Sequence, residues 1–304
     1  MFWLHDPLTP GVNRSQSDRI LSSMRARLVL CVGVVLGSSG VARASDPAEI
    51  TTRLETLTSK SARAKSDVPK LAFTSNLTWD PPASLDEAVF GFPALSRVDR
   101  AKTVVGFAGD DTAFISANVG EFSHCPSTGC AASTPETWLR ATAVFEKANG
   151  IWQPLAWAIT PPIPGSDQIQ AMAEGIVPDK LTRNVAGAEA PAMLFETTIG
   201  DPKLFAATVS TRAETAMFGS EMGERYTGGQ VARQLQSWNL IFKVRDGVRA
   251  GVSRSGKVAW VAANVDALQN KRPKAKPIPY RMFAIYELVG KDWKLVHLQF
   301  STSV

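Results

Sequence analysis

The sequence contains few of the residues and motifs that hold metal ions or bind nucleotides. Only three histidines and three cysteines occur in 304 residues, which excludes a site built from several histidines. Near His124 and Cys125 no second cluster completes a tetrahedral zinc site. The sequence also lacks the patterns G-x-S-x-G, H-E-x-x-H, G-x-G-x-x-G and the P-loop motif. We therefore predict neither a metal ion nor a cofactor.

Apolar runs long enough to span a bilayer are missing as well. The run at 28–36 has nine residues, whereas a transmembrane helix needs about 20. Two arginines precede this run and Ala-Arg-Ala follows it at 42–44, which is the three-part pattern of a secretory signal peptide. We predict that translation starts at Met24, that residues 1–44 comprise an upstream segment and the signal peptide, and that cleavage follows Ala44. The mature chain would be exported, to the periplasm or the exterior, without a stable membrane anchor.

The excess of positive charge belongs mostly to this leader. Without residues 1–44 the chain carries 28 basic and 26 acidic residues, and its net charge falls from +5 to +2. A global positive field for nucleic acid is therefore not supported. The remaining basic cluster, at 271–277, is interrupted by two prolines and contains no aromatic residue. We predict that it is a solvated hairpin tip, and that the protein has no nucleic-acid partner.

Two cysteines remain once the leader, with Cys31, is removed. Cys125 and Cys130 lie in the loop-like segment HCPSTGC. Because an exported protein enters an oxidising compartment, we predict a disulfide between them. Their spacing does not match the C-x-x-C pattern of thioredoxin-type redox sites.

The sequence contains an internal repeat. Two stretches align without gaps and share an Ala-Asn-Val run, with Trp260 aligned to Phe114; two further stretches share an Arg, an Ala, a Glu and a Trp. The aligned pairs are 109–121 with 255–267, and 139–152 with 280–293. The first copy has five more residues between its stretches, and these fall in the cysteine loop. The order and spacing predict two tandem copies of one domain.

Each copy combines predicted helices with a run of predicted strands. The aligned stretches are rich in β-branched and aromatic residues and are separated by turn signals, which predicts an antiparallel meander. Helices are predicted ahead of each meander, where Asp-Pro pairs open apolar stripes. In the first copy the stripe consists of Ile50, Leu54 and Leu57.

The predicted fold class is therefore α+β. We expect two cone-shaped domains, each with N-terminal helices packed on one face of a curved antiparallel sheet. The predicted boundaries are 45–160 for the first domain, 161–187 for a proline-rich linker and 188–304 for the second domain.

Three stretches of the second copy carry a resemblance to a known family. They are FGSEMGERYTGGQ (218–230), SGKVAWVAANVD (255–266) and YRMFAIYELVGKDWKLVHLQFS (280–301). They resemble the nuclear transport factor 2-like superfamily in its SnoaL-like branch, whose closing strand often has the pattern V-H-x-x-x-S. The first copy is degenerate, because Ala156 stands where the second has His297. The resemblance implies a ligand cavity between helices and concave sheet, and pairing of domains through their sheets.

Strand alternation predicts which side chains line that cavity. On the last strand alternate residues from Trp293 to Ser301 share one side, and on an earlier strand Trp260 and Asn264 share a side. The predicted lining of the second domain is Trp260, Asn264, Tyr280 and His297 from the sheet, with Tyr226 and Trp238 from the helical half. Asn264 fits a structural hydrogen bond equally well. The first domain would act as a packing partner in an intramolecular pseudo-dimer, with Trp157 and Ile159 meeting Leu298 and Phe300.

The leading functional hypothesis is binding of a small apolar molecule without catalysis. Proton-transfer chemistry needs a desolvated carboxylate in the cavity, and the predicted lining contains none. The first alternative is an isomerase, hydratase or cyclase that uses His297 and a cavity tyrosine. The second is a protein-interaction module that acts through its sheet surfaces.

Overall fold

The structure is a computed structural model. It describes residues 46–59, 67–84, 95–122, 135, 137–163, 178–269 and 276–302. The predicted leader, the cysteine loop with Cys125 and Cys130, and much of the predicted linker lie outside these residues. No helix in the described ranges is long and apolar enough to cross a membrane.

The described residues form four α-helices and thirteen strands. The helices are α1 Pro47–Thr58, α2 Glu189–Thr198, α3 Pro202–Ala207 and α4 Gly229–Gln236. The first sheet has β1 Leu71–Phe73, β2 Thr78–Trp79, β3 Leu95–Val98, β4 Val104–Phe107, β5 Thr112–Phe122, β6 Thr137–Ala148 and β7 Ile151–Thr160. The second has β8 Ala216–Phe218, β9 Arg225–Thr227, β10 Leu240–Val252, β11 Val258–Gln269, β12 Ile278–Val289 and β13 Asp292–Thr302.

The chain builds two mixed sheets, one from each half. The strand order is β2-β1-β7-β6-β5-β3 in the first, with β4 also paired to β5, and β10-β11-β12-β13-β8-β9 in the second. The predicted meanders are present as β5–β7 and β11–β13. The prediction of purely antiparallel sheets is wrong at one place in each sheet, because β1 pairs in parallel with β7 and β8 in parallel with β13. These strands are three residues long, too short for alternation to reveal them.

The aligned stretches occupy matching positions in the two sheets. Asn118 faces Arg140 across β5 and β6, and Asn264 faces Arg281 across β11 and β12. Each closing hairpin also has a bulge at the corresponding place, where the last strand contributes one residue more than its partner. Because side chains alternate along a strand, such a bulge transfers every later residue to the other face.

One face of each sheet carries the helices. In the first half Asp46 caps α1 by accepting a hydrogen bond from the Ala48 amide at 2.8 Å, and the predicted stripe of Ile50, Leu54 and Leu57 is buried on the sheet. In the second half the helices bury apolar side chains on the second sheet, namely Phe195, Phe205, Val231 and Leu235. Burial of these stripes is the main reason that such short helices are stable.

The remaining faces of the two sheets pack against each other. We call this contact the inter-sheet layer; among its members are Phe73, Phe114, Ala156, Trp260, Phe283 and Val296. The interaction-module hypothesis needs exposed sheet faces, whereas these faces are buried. Trp157, Ile159, Leu298 and Phe300 do not lie in this layer, contrary to the sequence expectation, but on the helix-facing sides. Each bulge shifts the later residues of β7 or β13 to the other face, which explains why these four side chains lie on the helix-facing sides.

Candidate functional site

His297 lies in the interior between the two sheets and not on the helix-facing side. Its side chain has no exposed surface. Nε2 is 2.9 Å from the carbonyl oxygen of Glu214, and Nδ1 is 2.8 Å from Oγ of Ser116, which in turn is 2.9 Å from the Thr142 hydroxyl. A carbonyl oxygen only accepts, so Nε2 carries the proton and Nδ1 accepts from Ser116.

The surroundings of His297 keep its imidazole neutral. Burial lowers the pKa of His297 to about 4, although hydrogen bonds with the backbone of Glu214 and Ile115 raise it. A neutral, fully enclosed imidazole links the sheets through one donor and one acceptor. The structure therefore does not place it where a catalytic base would meet a substrate, because a base must lie within hydrogen-bond reach of the substrate.

Trp260 and Asn264 also point away from the helices. Trp260 belongs to the inter-sheet layer and is 5% exposed. The Asn264 side-chain amide donates to the carbonyl oxygen of Asp179 at 2.7 Å and to Oδ2 of Asp246 at 3.0 Å. Of the two roles considered for Asn264, the contacts favour the structural hydrogen bond. The predicted lining was wrong for these residues because alternation gives two faces without indicating which one the helices cover.

The other three predicted residues pack in the helix-facing core of the second half. Tyr280 and Trp238 belong to a closed ring of four aromatic side chains, which we call the aromatic cluster. The centroid distances are 4.9 Å for Trp238–Phe242, 6.0 Å for Phe242–Tyr280, 6.0 Å for Tyr280–Phe300 and 5.5 Å for Phe300–Trp238. Tyr226 packs against the same core, and both Tyr226 and Trp238 are half-buried. The cluster therefore reaches solvent through Trp238.

Polar groups meet the aromatic cluster at Tyr280. Two side chains of a neighbouring loop, Ser220 and Glu224, act on the pKa of its hydroxyl. Burial raises the pKa of Tyr280 to about 12, the negative charge of Glu224 raises it further, and the Ser220 hydrogen bond opposes them. Tyr280 is therefore a phenol at neutral pH.

The segment 219–224, which we call the site loop, carries both polar partners. Oε2 of Glu224 accepts hydrogen bonds from the Glu221 amide at 2.9 Å and from the Ser220 hydroxyl at 3.3 Å. Neither Glu224 nor Ser220 was identified as a site residue from the sequence. No sequence signal could have found Ser220, because the loop is joined to the sheet that contains Tyr280 only when β8 pairs with β13.

The site can act through three kinds of interaction. Its rings present apolar surface, Tyr280 can donate a hydrogen bond, and the Glu224 carboxylate can accept one or attract a positive charge. Such a combination of apolar walls with a few convergent polar groups is typical of small-molecule sites.

A separate groove lies beside α2 and α3 at the β12–β13 turn. It measures about 570 Å³ and is lined in part by Met193, Leu194, Trp293 and the charged residues Lys291 and Lys294. The groove is open, and its lining includes none of the six predicted residues. We therefore do not place the site there.

The first half contains a buried carboxylate that sequence reasoning missed. Glu121 lies on β5 and shares the helix-facing side with Ala117 and Val119, because the pairing with β6 has no irregularity there. Its side chain is 9% exposed, and burial raises the pKa of Glu121 to about 7. The corresponding position in the second half is Ala267.

Comparisons with known proteins were made by sequence and by structure. No protein-family model and no curated protein matches this chain. Similar solved structures include a nuclear transport factor 2-like superfamily protein from Salmonella enterica, with 16% identity over 46% of this chain and 94% of that chain, at a TM-score of 0.30. A ketosteroid isomerase-like protein from Erwinia carotovora has 16% identity over 40% and 96%, at 0.30. A nuclear transport factor 2-like protein of unknown function from Pseudomonas putida has 11% over 36% and 79%, at 0.29. Likenesses of this size do not establish an activity, and the function is argued from the site.

Proposed function

We propose that the second half of this chain binds a small, mostly apolar molecule that carries a polar group. The observation that supports the proposal is the aromatic cluster with the Tyr280 phenol in it, whose pKa is influenced by the hydrogen-bonded pair of Ser220 and Glu224. The apolar part of the ligand would lie against the half-buried ring of Trp238. Its polar part would share a hydrogen bond with Tyr280 or donate to Glu224.

We propose further that the two halves are tandem domains of the nuclear transport factor 2-like superfamily. The support is internal to the chain: both halves place an Asn opposite an Arg at matching register, a bulge in the closing hairpin and a short parallel strand beside the last long one. The SnoaL-like branch is part of this proposal and rests on the closing-strand pattern V-H-x-x-x-S at 296–301.

Binding is tested with a fluorescent probe. N-phenyl-1-naphthylamine is apolar and carries one N–H donor that suits the oxygen of the Tyr280 hydroxyl. We expect it to bind the mature chain with a rise in probe fluorescence. Tyr280→Phe should weaken binding about fivefold, the size of one lost hydrogen bond, and Trp238→Leu about tenfold through lost ring contact.

The matched control is Tyr286→Phe. Tyr286 lies on the same strand and on the same helix-facing side as Tyr280, and it is fully buried. The control should leave probe affinity unchanged. No detectable probe binding, or equal losses in Tyr286→Phe and Tyr280→Phe, would contradict the proposal.

One observation favours the enzyme alternative in an altered form. The charge of Glu224 acts on a tyrosine that is a phenol at neutral pH, so the second half supplies both an acceptor and a donor for protons. His297 has no place in this version. The discriminating measurement is exchange of probe-competing compounds with deuterated water, followed by NMR. Exchange that Glu224→Gln abolishes without weakening binding would favour catalysis, and absence of exchange would favour binding alone.

We also propose that the protein is exported, on the basis of the pattern at 25–44. Expression of the full coding sequence in a bacterial host with a general secretion pathway should yield a mature protein that begins at Ser45. Mass spectrometry of the intact product checks this. Replacement of Ala42 and Ala44 by bulky residues is the control, because it should block cleavage. A product in the cytoplasm that retains residues 24–44 would contradict the proposal.

A further inference from the structure

The site loop of the second half is held by a residue of the first half. Arg140 lies on β6, and its side chain crosses to the other sheet. Nη1 donates to the carbonyl oxygens of Gly219 and of Glu224, the latter at 3.1 Å, and Nη2 donates to the carbonyl oxygen of Glu221. All three acceptors belong to the site loop, and Gly219 and Glu221 directly flank Ser220 in the chain.

Arg140 is almost completely buried, at 1% exposure, and its guanidinium lies 5.6 Å from the ring centre of Phe218. Burial lowers the pKa of Arg140 to about 10, while the charge of Glu224 raises it. The side chain is therefore a cation at neutral pH. Among the described residues no carboxylate forms an ion pair with it, so its hydrogen bonds go to the loop backbone. A guanidinium suits this task because its donors diverge in a fixed plane.

Arg281 has the corresponding place in the second half and acts on the first. It faces Asn264 as Arg140 faces Asn118. Its Nη2 donates to the Thr78 hydroxyl, and its guanidinium lies 3.9 Å from the ring centre of Phe73. Each half thus supplies a buried arginine that contacts the pair of short strands, or the loop between them, in the other half. Although Arg281 follows Tyr280 in the chain, its side chain lies on the opposite face of the sheet.

We propose that Arg140 is a positioning residue for the site in the second half. It fixes the site loop so that Ser220 and Glu224 meet Tyr280, and the site is complete only when both halves of the chain are present. The inference relies on the proposed function for the role of the site as a ligand site, but its test measures the geometry of the loop directly.

The test is a titration of tyrosine in the full mature chain. The sequence has three tyrosines, so ¹³C-labelled tyrosine gives few NMR signals, which Tyr→Phe variants assign. The pKa of Tyr280 is set by burial, Glu224, Ser220 and Glu221, so the loss of Arg140 acts on it through the loop. In Arg140→Gln we expect the loop to move outward and the pKa of Tyr280 to fall by one unit or more toward its ordinary value of about 10. At pH 11 Tyr280 should be mostly protonated in the unchanged chain and mostly ionised in the variant.

Arg281→Gln is the matched control. It also removes a buried arginine that reaches the other half, but it leaves the site loop in place, and Tyr280 should titrate as in the unchanged chain. Equal titration in Arg140→Gln and the unchanged chain, with both folded by circular dichroism, would overturn the proposal. So would an equal shift in Arg281→Gln, since it would indicate general loosening.

Arg140→Lys covers the case in which Arg140→Gln does not fold. It keeps a buried cation but has a single nitrogen, which cannot span the three carbonyl groups. A downward shift of the Tyr280 titration is again expected, and its absence would overturn the proposal. Failure of the unchanged chain to bind N-phenyl-1-naphthylamine would contradict the proposed function and leave the titration result standing, so the two failures are distinguishable.

Discussion

In a Glu121→Gln background the free energy of unfolding is expected to fall by about 3 kcal/mol as the pH is lowered from 6.5 to 4. The cause is His297. Its pKa is 6.5 in the unfolded chain and about 4 in the fold, and each unit of difference corresponds to about 1.4 kcal/mol. Because the folded-state pKa is depressed, the contribution is fully present above pH 6.5 and is lost as the pH falls through 4.

Glu121 is expected to act in the opposite direction. Its pKa is raised from 4.5 to about 7 in the fold. The stability that this raised pKa contributes is fully present below pH 4.5 and is lost as the pH rises through 7. Between pH 4.5 and 6.5 the two contributions change with opposite sign and similar size. Their sum leaves the free energy of unfolding of the unchanged chain nearly independent of pH in that range. Glu121→Gln should therefore reveal the slope due to His297, and His297→Gln the slope due to Glu121.

Denaturant unfolding at pH 4, 5, 6 and 7 measures both slopes. The four proteins are the unchanged chain, Glu121→Gln, His297→Gln and the double variant. Subtracting the double variant from Glu121→Gln removes the titration of all other groups and isolates His297. His297→Gln should also lose a roughly constant amount of stability at every pH, because Gln fits the contacts with Ser116 and Glu214 less well. A slope below pH 6.5 that is equally steep in Glu121→Gln and in the double variant would assign it to other groups and refute the role of His297.

The helical and meander patterns were predictable because each rests on a local rule. An Asp-Pro start with Ile50, Leu54 and Leu57 at helical spacing predicted α1, and the structure confirms it with the Asp46 cap and a buried stripe. The alignment of two β-rich stretches predicted the two meanders. Periodicity, turn residues and caps act within a few residues, so the sequence displays them directly.

The face on which a side chain lies beyond each bulge was not predictable, because a single extra residue decides it. Leu155 in β7 and Val296 in β13 are the extra residues of the two bulges. Leu295 lies before its bulge and faces the helices, while His297 lies after it and faces the other sheet. A one-residue bulge has no sequence signature of its own, and it transferred His297 from the predicted cavity to the inter-sheet layer.

The site was predictable in part. Tyr226, Trp238 and Tyr280 were predicted to line the cavity, and the structure packs all three in the helix-facing core of the second half. Ser220 and Arg140 were missed because their roles depend on contacts between distant segments. The Arg140 bonds to the site loop span about 80 residues of chain, and spacing rules do not reach that far.

Gly251→Ala is expected to destabilise the protein by about 2 kcal/mol, and Gly106→Ala by a similar amount. Gly251 faces Trp260 across β10 and β11, and Gly106 faces Phe114 across β4 and β5. In both pairs the ring covers the glycine, so that an added Cβ would collide with it. The rings are held in the inter-sheet layer and cannot move away, and overpacking of this kind costs about 1–3 kcal/mol. Thermal or denaturant unfolding measures the loss.

A double-mutant cycle with Trp260→Leu tests the cause. A smaller side chain leaves room for the new methyl group, so Gly251→Ala should cost about 1 kcal/mol less in the Trp260→Leu background than in the unchanged chain. Gly229→Ala is the control, because Gly229 begins α4 with only ordinary contacts; it should be neutral or slightly stabilising. Additive costs would show that the ring does not cover the glycine. A second cycle, of Gly106→Ala with Phe114→Leu, should show the same coupling, because Phe114 covers Gly106 at the matching register of the first half.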